Sequence, residues 1–410
     1  MNLDLFKDIL SIDSTSGMER TLALWLNDHL EAPSKQLMEV GDGTLNLLLS
    51  WGTPRVVFCT HMDTVPPYIA PRFAVGSAPR MTPCGSRPIS PSDPASAERS
   101  DERLNPLYDV PTIWGRGTCD AKGQLIALYT ACKELESEGA DGFGLLILAG
   151  EETGSWGAKA FAKTDFKAPF LIVGEPTENK MISASKGTKS YDLRFIGEAF
   201  HSGYPEYGVS AVELFNEFYN KLKATDFGDD PVLGKTTWNI GLLKSDNPQN
   251  ILSPELTCRL YFRTTFVSDE KVVAFMEEIA GQARNEGDCH VGNEGEGQAR
   301  NEGDCHVGND GGCQARGSSH PRPDRGSLEV VARGGDSPAK YVVLPGFESA
   351  PAAFGTDAPH LTNFGHKIIC GPGTVRVAHR DDEHIILAEL EEAVKLYKSM
   401  WCVLQTADNQ

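Results

Sequence analysis

The sequence predicts an α/β fold: a mixed sheet sandwiched by helices, with a second, smaller α+β domain inserted into it. Up to Glu175, short apolar runs alternate with helical patterns, which is typical of strands covered by helices on both faces. Beyond Glu175 the strands alternate apolar and polar residues, as in a sheet with one exposed face. The end of the chain returns to the first pattern, so we expect both termini to belong to one domain.

The first domain is predicted to span residues 1–177 and 335–410. Ser16 and Glu19 have the spacing of a capping box, which predicts a helix through about Leu30. Helical spacing predicts another helix at 121–137. Apolar runs predict four strands, which are "LNLLLSW", "RVVFCT" at 55–60, "FGLLILA" at 143–149 and "PFLIVG" at 169–174.

The inserted domain is predicted to span residues 178–334. Its strands are predicted from "KSYDLRFIG" and "LTCRLYFRTTF", which alternate with period two. Between them, "VSAVELFNEFYNKLKA" has the spacing of an amphipathic helix.

Two segments lack the apolar residues that a fold requires. Residues 76–105 are rich in Pro, Ser and Arg without periodicity, and they predict a low-complexity insertion in the first domain. A sixteen-residue repeat begins at 281, and we expect a disordered insertion at about 281–325. Its pairs Cys289–His290 and Cys305–His306 are soft metal donors, but they lack zinc-finger spacing and favour a solvated loop.

Composition excludes several classes of protein. The 410 residues carry a net charge of −19, which argues against binding nucleic acid or an anionic membrane. No stretch is long and apolar enough to span a bilayer, and the first residues form an acidic amphipathic pattern rather than a signal peptide. Ten cysteines in so long a chain are not a disulfide framework, so reduced thiols and a cytoplasmic location are expected.

Polar side chains follow the predicted strands where each strand ends. They are His61, Asp63, Asp120, Glu151, Glu152 and Glu175. In open α/β sheets such residues meet at the carboxyl ends of the strands. So many acids cannot share one crevice in ionised form without positive charge among them. Imidazole and carboxylate donors favour two divalent ions, zinc first and cobalt or manganese as alternatives.

Each of these signals has a plainer interpretation on its own. Asp120 has the position of a helix cap, and adjacent glutamates are common in the first turn of a helix. Glu175 precedes a proline and is compatible with a simple loop. The joint placement at strand ends is what favours a metal site.

The motifs resemble one family of enzymes in their order along the chain. They are "THMDTVPP", "WGRGTCDAKG", "LAGEETGSWGAKAF", "VGEPTE", "AFHSGYPEYGVSAVE" and "GPGTVRVAHRDDEH". This set resembles the co-catalytic dizinc amidohydrolases and metallopeptidases, which include acetylornithine deacetylase, succinyl-diaminopimelate desuccinylase and carboxypeptidase G type enzymes. The resemblance implies a dizinc catalytic domain, an inserted lid and dimerisation domain, and a homodimer. The insertion at 281–325 must then loop away from the dimer interface.

The resemblance also implies a role for each site residue. His61 and Glu175 would ligate one metal, Glu152 and His379 the other, and Asp120 would bridge both. Glu151 would be the general base, and Asp63 would orient His61. In the smaller domain, His201 would stabilise the oxyanion in a partner's site, and Arg263 and Asn250 would contact the substrate.

Alternatives remain for the late residues. His384 is a rival to His379 as a ligand, although its place at the start of the last apolar helix favours a structural role. His201 is compatible with a turn, and Arg263 with a surface ion pair.

The expected activity is hydrolysis of an amide bond by water activated at the metal pair, closest to deacetylation of an N-acyl amino acid such as N-acetylornithine. A dipeptidase or carboxypeptidase acting on peptides, or a succinyl-diaminopimelate desuccinylase, is the alternative. A non-catalytic binding relative is a further alternative, against which the complete ligand set argues. The chain lacks the Gly-x-Ser-x-Gly motif of serine hydrolases and the Gly-x-Gly-x-x-Gly motif of dinucleotide enzymes.

Overall fold

A computed structural model describes residues 1–41, 43–74, 110–285 and 326–406 of the chain. The described residues form two compact units. The first unit draws on Met1–Ala184, Lys340–Ala352 and Thr356–Gln410, and the second on Ser185–Ala339 and Ala353–Gly355. The predicted insertion at 76–105 and the Cys-His pairs lie outside the described residues.

The described residues contain seven α-helices and eighteen strands. The helices are α1 (Leu3–Ser11), α2 (Arg20–His29), α3 (Lys122–Ser137), α4 (Trp156–Phe161), α5 (Ala211–Ala224), α6 (Asp269–Asn285) and α7 (Leu387–Thr406). The first nine strands are β1 (Ser34–Gly41), β2 (Thr44–Trp51), β3 (Val56–His61), β4 (Arg72–Ala74), β5 (Thr112–Trp114), β6 (Phe143–Leu148), β7 (Ala168–Val173), β8 (Met181–Ser185) and β9 (Gly187–Ile196). The others are β10 (Asp229–Asp230), β11 (Gly234–Lys235), β12 (Thr237–Lys244), β13 (Glu255–Thr264), β14 (Ser327–Gly334), β15 (Ala339–Lys340), β16 (Ser349–Ala352), β17 (Phe364–Ile369) and β18 (His384–Ile386).

The first unit is built around a six-stranded mixed sheet with the order β1-β2-β6-β3-β7-β17. Strand β3 runs parallel to both β6 and β7, and β7 runs parallel to β17. Strands β3 and β6 are buried along their whole length, as their unbroken apolar sequences require. The carboxyl ends of β3, β6 and β7 therefore meet at one edge of the sheet.

Helices α1, α2, α3 and α7 contribute their apolar faces to the core of the first unit. Helix α3 is buried at Leu125, Leu128 and Cys132, and α7 is buried at Leu390 and Tyr397. No helix in the described ranges has both the length and the apolarity needed to cross a membrane.

A small antiparallel sheet, β18-β5-β4, joins distant parts of the first unit. Trp114 of β5 pairs with His384 of β18 on one side and with Arg72 of β4 on the other. Strand β5 leads directly into the turn that carries Asp120. The sheet thus fixes the position of that turn relative to the segment just before His384.

The second unit contains a four-stranded antiparallel sheet, β12-β13-β9-β14, and the helices α5 and α6. Burial alternates along β13, with Cys258, Leu260 and Phe262 inside the core and Arg259 on the other face. This is the half-exposed sheet that period-two alternation predicts. The α/β class with an inserted α+β domain is therefore confirmed.

Two local expectations are wrong. Helix α6 continues to Asn285, into the first residues of the segment expected to be disordered, because Gln282, Ala283 and Arg284 are favourable helix residues. The capping box is also not formed: Glu19 is the N-cap of α2, without a side-chain capping bond. The Ser16 hydroxyl instead donates to Oδ2 of Asp63 at 2.9 Å.

Candidate metal centre

His61 ends strand β3 and presents its Nε2 atom to the carboxylate of Asp120, 3.0 Å from Oδ1. Its Nδ1 atom lies 3.0 Å from the carbonyl oxygen of Asp63 and 3.4 Å from the Asp63 carboxylate. A proton on Nδ1 satisfies the carbonyl acceptor and leaves the lone pair of Nε2 available. His61 could therefore ligate a cation beside Asp120.

Asp120 lies between two histidines at the turn that precedes α3. Its Oδ1 atom faces His61, and its Oδ2 atom lies 3.3 Å from Nε2 of His379. The N-cap of α3 is Ala121, and α3 has no side-chain capping hydrogen bond. The Asp120 side chain therefore does not cap this helix. Each carboxylate oxygen thus faces a different imidazole, which is the arrangement that a bridging ligand requires.

The turn after β6 carries Glu151 and Glu152, and the buried Asp63 holds it in place. Oδ1 of Asp63 accepts from the amide of Glu151 at 3.0 Å, and Oδ2 accepts from the amide of Glu152 at 3.1 Å. Oε1 of Glu152 lies 2.8 Å from Nε2 of His379. The backbone of the turn is therefore fixed, with one glutamate committed to His379.

His379 and His384 occupy different environments. His379 adopts a φ of +64° and contacts the acids, whereas His384 opens β18, and its Nδ1 atom lies 2.7 Å from the carbonyl oxygen of Asp382. The His384 ring also packs on Trp114, with centroids 4.3 Å apart. The structure therefore brings His379, and not His384, to the acidic cluster.

Glu175 follows β7 and is buried, yet its Oε1 atom has no hydrogen-bond partner among the described residues. A buried carboxylate oxygen without a partner carries a large desolvation cost unless a cation or water satisfies it. This atom is direct evidence that the site fits a bound cation.

Three groups of potential ligands have donor atoms within 4.8 Å of one another. They are His61, Asp120 and Glu175; Asp120, Glu152 and His379; and His61, Glu151 and Glu152. The first two groups share Asp120. Their imidazole and carboxylate donors suit zinc and related divalent ions, so the residues fit a pair of cations with one common ligand.

Protonation within the cluster shows its excess of acids. Burial raises the pKa of Glu151 and Glu175 well above 4.5, and neighbouring carboxylates raise it further. Hydrogen bonds to Asp120 and Glu152 raise the pKa of His379 from 6.5 to about 10. These shifts mean that the cluster of acids retains protons, which limits its negative charge.

Three buried residues of the site were missed by sequence reasoning. Burial raises the pKa of Asp357 to about 6, and one of its carboxylate oxygens lacks a partner among the described residues. Arg116 and Glu383 form a buried ion pair with 2.7 Å between Nη1 and Oε2. Their only sequence signal is proximity, because Arg116 precedes Asp120 and Glu383 follows His379 within a few residues.

His201, Asn250 and Arg263 all belong to the second unit. His201 is exposed, its Nδ1 atom accepts from the amide of Gly203 at 3.0 Å, and the carbonyl of Asn250 accepts from the amide of Ser202 at 2.9 Å. His201 therefore takes part in a local turn through Nδ1, and its Nε2 atom remains available for another contact.

Arg263 lies on β13 with its guanidinium 5.0 Å from the centroid of the Tyr261 ring. No carboxylate in the described part of the chain forms an ion pair with it, so the surface ion pair considered above is not seen there. Lys186, which is buried, lies close enough that burial and the charge of Arg263 together lower its pKa. Two cations thus lie side by side, and sequence reasoning found only one.

Comparison with known proteins places these features in context. Residues 183–288 match a family model described as a peptidase dimerisation domain. A peptidase M20 domain-containing protein of Schizosaccharomyces pombe is 28% identical over 97% of this chain and 83% of its own length. A probable carboxypeptidase of Arthroderma otae is 28% identical over 97% of this chain and 84% of its own length. The crystal structure of a tripeptidase from Staphylococcus aureus is similar in fold, with a TM-score of 0.68, 17% identity and 98% coverage of both chains.

Proposed function

We propose that this chain is an amide-bond hydrolase of the M20 peptidase type and that it removes the C-terminal residue of a short peptide with the aid of two divalent cations. One observation carries the proposal: the two oxygens of Asp120 face His61 and His379 separately. The names of curated relatives favour a peptide substrate. Cleavage of an N-acyl amino acid such as N-acetylornithine is the second candidate, because its scissile amide also lies next to a free carboxylate.

Five residues would hold the cations. His61 and Glu175 would bind one, Glu152 and His379 the other, and Asp120 both. Two such cations, with zinc favoured over cobalt or manganese by the donor set, supply Lewis acidity that polarises the scissile carbonyl and acidifies water. The unpartnered Oε1 atom of Glu175 supports this assignment.

Glu151 would move the proton. It takes a proton from water as the water oxygen bonds to the carbonyl carbon, and it returns that proton to the amine as the carbon–nitrogen bond breaks. Burial, which raises the pKa of Glu151, makes it able to hold the proton between these two steps. Asp63 keeps Glu151 in place through its amide.

Arg263 and Lys186 would bind the substrate carboxylate. Both are cations, and neither has an acidic partner among the described residues. A carboxylate is the natural occupant of such a pair because charge-assisted hydrogen bonds to it are strong. Asn250 would add a contact, and the exposed His201 would stabilise the oxyanion of a partner subunit in a homodimer, which the matched dimerisation domain supports.

Hydrolysis of a matched substrate panel tests the proposal. The panel pairs dipeptides with their C-terminal amides and includes N-acetylornithine and N-succinyl-diaminopimelate, with release of amino acid followed by mass spectrometry. We expect turnover of free-carboxylate dipeptides only, abolished by chelation and restored by zinc or cobalt. Undiminished activity in metal-free protein, or equal cleavage of the C-terminal amides, would contradict it. Faster cleavage of N-acetylornithine would select the second candidate.

A further inference from the structure

Arg116 joins three segments of the first unit through one buried side chain. Its Nε atom donates to the carbonyl of Pro67 at 3.3 Å, and Nη1 donates to the carbonyl of Arg380 at 3.1 Å. Nη1 also contacts Oε2 of Glu383 at 2.7 Å. The amide of Arg116 donates to the carbonyl of Ile69 at 3.0 Å. One residue therefore holds the chain after β3, its own turn and the chain before β18 together.

Glu383 completes this connection with its other carboxylate oxygen. Oε1 accepts hydrogen bonds from the amides of Gly117, Cys119 and Asp120 at 2.9, 3.1 and 3.1 Å. Successive amides that converge on one anion form a rigid concavity in the backbone. The turn that presents Asp120 is therefore shaped around the carboxylate of Glu383.

The three connected segments are those that carry three of the five proposed ligands. His61 lies shortly before Pro67, Asp120 lies in the turn around Glu383, and His379 immediately precedes Arg380. Neither Arg116 nor Glu383 belongs to a group of potential ligands in the described part of the chain. Their contacts constrain the backbone of the ligands and do not involve the cations.

A contribution to stability alone is a weak reason to bury this pair. Removing an arginine and a glutamate from water costs several kcal/mol, and an apolar pair of similar volume is often at least as stabilising. What an apolar pair lacks is the directional set of five polar contacts that fixes three backbone segments. Directionality points to a requirement for geometry.

We propose that Arg116 and Glu383 are positioning residues that fix the separation of Asp120 and His379, and thereby set the affinity of the cation that those two ligands share. The inference rests on the proposed metal-dependent function. It predicts that loss of the pair lowers the affinity for the cation at Asp120, Glu152 and His379. The affinity for the cation at His61, Asp120 and Glu175 is expected to fall less. A purely structural role predicts lower stability with unchanged metal affinity.

Metal binding to the variants Glu383→Gln and Arg116→Lys tests the inference. Glutamine keeps an acceptor for the three amides but loses the charge that faces Arg116, and lysine keeps a charge but cannot reach all three acceptors. The zinc and cobalt affinities of full-length protein are measured by competition with a fluorescent chelator. Outer partners of metal ligands typically contribute about tenfold to hundredfold in affinity. We expect a loss of that size at one of the two sites, with kcat recovering in excess metal.

Stability is measured in parallel to separate positioning from folding. Asp269→Asn breaks the ion pair with Lys189 in the second unit, 2.7 Å between Nζ and Oδ1, and serves as the matched control. It is expected to lower the melting temperature without altering metal affinity. If a single variant fails to fold, the same measurements are made on the double variant Arg116→Met with Glu383→Gln. This variant leaves no unpaired buried charge and keeps a side-chain oxygen to accept from the three amides.

The outcomes separate the inference from the proposed function. If the wild-type protein binds two cations and the folded variants bind them with unchanged affinities, the positioning role is overturned and the proposed function is left intact. A wild-type protein that binds no divalent cation would overturn both. A lower affinity for one of the two cations in the Arg116 and Glu383 variants, with no such change in Asp269→Asn, would support both the positioning role and the proposed function.

Discussion

The carboxylate of Asp63 accepts a hydrogen bond from the backbone amide of Glu152, with 3.1 Å between Oδ2 and the nitrogen. Its other oxygen accepts from the amide of Glu151. The resemblance implied only that Asp63 orients His61. In the structure Asp63 also fixes the turn that carries the proposed base Glu151 and the proposed ligand Glu152. One buried acid therefore holds residues proposed for metal binding and for proton transfer.

Replacing Asp63 with asparagine is expected to weaken metal binding and turnover together. An asparagine oxygen can satisfy one of the two amides, but its NH2 group faces the other, which is left unpaired. We expect a loss of about tenfold to hundredfold in metal affinity or kcat, measured by chelator competition and steady-state kinetics. Asp226→Asn is the control, because Asp226 also accepts from a backbone amide, that of Gly228, in the second unit. Wild-type kcat and metal content in Asp63→Asn would contradict the prediction.

Adjacent substitutions should separate the base from the ligand. Glu151→Gln is expected to retain two cations and to lose about 100-fold to 10,000-fold in kcat, because it removes proton transfer only. Glu152→Gln is expected to lose metal, because Glu152 is a proposed ligand whose carboxylate contacts the second proposed ligand, His379. Metal content by atomic emission and kcat are measured on both. Normal turnover by Glu151→Gln would remove Glu151 from the mechanism.

The stability of metal-free protein should fall as pH rises from about 5 to about 7. Burial raises the pKa of Glu151 and Glu175 above 4.5, so the folded state binds protons that the unfolded state has released. Stability from such groups is present at low pH and is lost as pH rises through their folded pKa values. His379, with its pKa raised to about 10, acts in the same direction above its ordinary value of 6.5. Burial lowers the pKa of Lys122 to about 7, so its opposing contribution begins only above this range.

Bound metal should reverse this dependence, since cations compete with protons for the same ligands. Melting temperatures of chelator-treated and zinc-loaded protein are compared across that pH range. The stabilisation by zinc is expected to grow with pH, and the Glu151→Gln variant should show a shallower slope without metal. A metal-free protein that becomes more stable towards pH 7 would refute the assignment of raised pKa values.

Lys186→Met is expected to raise KM by about tenfold or more for substrates with a free carboxylate, because a hydrogen bond to a charged group is worth about 1.5–3 kcal/mol. The lysine donates to the carbonyl of Lys235 and lies near Arg263. Lys235→Met is the matched control, since the side chain of Lys235 is exposed. Equal KM values for the two variants would exclude Lys186 from substrate binding.

Residues 75–111 are expected to be replaceable by a short turn. Ala74 pairs with Thr112 in adjacent antiparallel strands, so a two-residue to four-residue connection can join them. We expect melting temperature and metal content close to wild type. By contrast, Phe73→Pro in the full chain should weaken metal binding, because it disturbs β5, which leads into the Asp120 turn. A shortened chain that fails to fold would contradict the prediction.

The sequence alone was sufficient for the α/β fold with an inserted domain, which the structure confirms, and the resemblance to amide-bond hydrolases is supported by relatives that are 28% identical to this chain. Short continuous apolar runs that alternate with helical patterns favour buried strands, and the polar residues that follow parallel strands lie at one edge of the sheet. The roles of the site residues, the homodimer, the cytoplasmic location and the acetylornithine deacetylase-like subtype stay predictions.

The sequence favoured His379 over His384, but only the tertiary structure showed how their environments differ and revealed Arg116 and Glu383 as partners. His379 adopts a left-handed backbone conformation that turns it towards Asp120, whereas His384 is held in a strand against Trp114. Arg116 and Glu383 are far apart in sequence, and each lies within a few residues of a more conspicuous residue. Local periodicity specifies which residues are buried, but the pairing of buried charges depends on backbone direction and on contacts between distant segments, which no local pattern records.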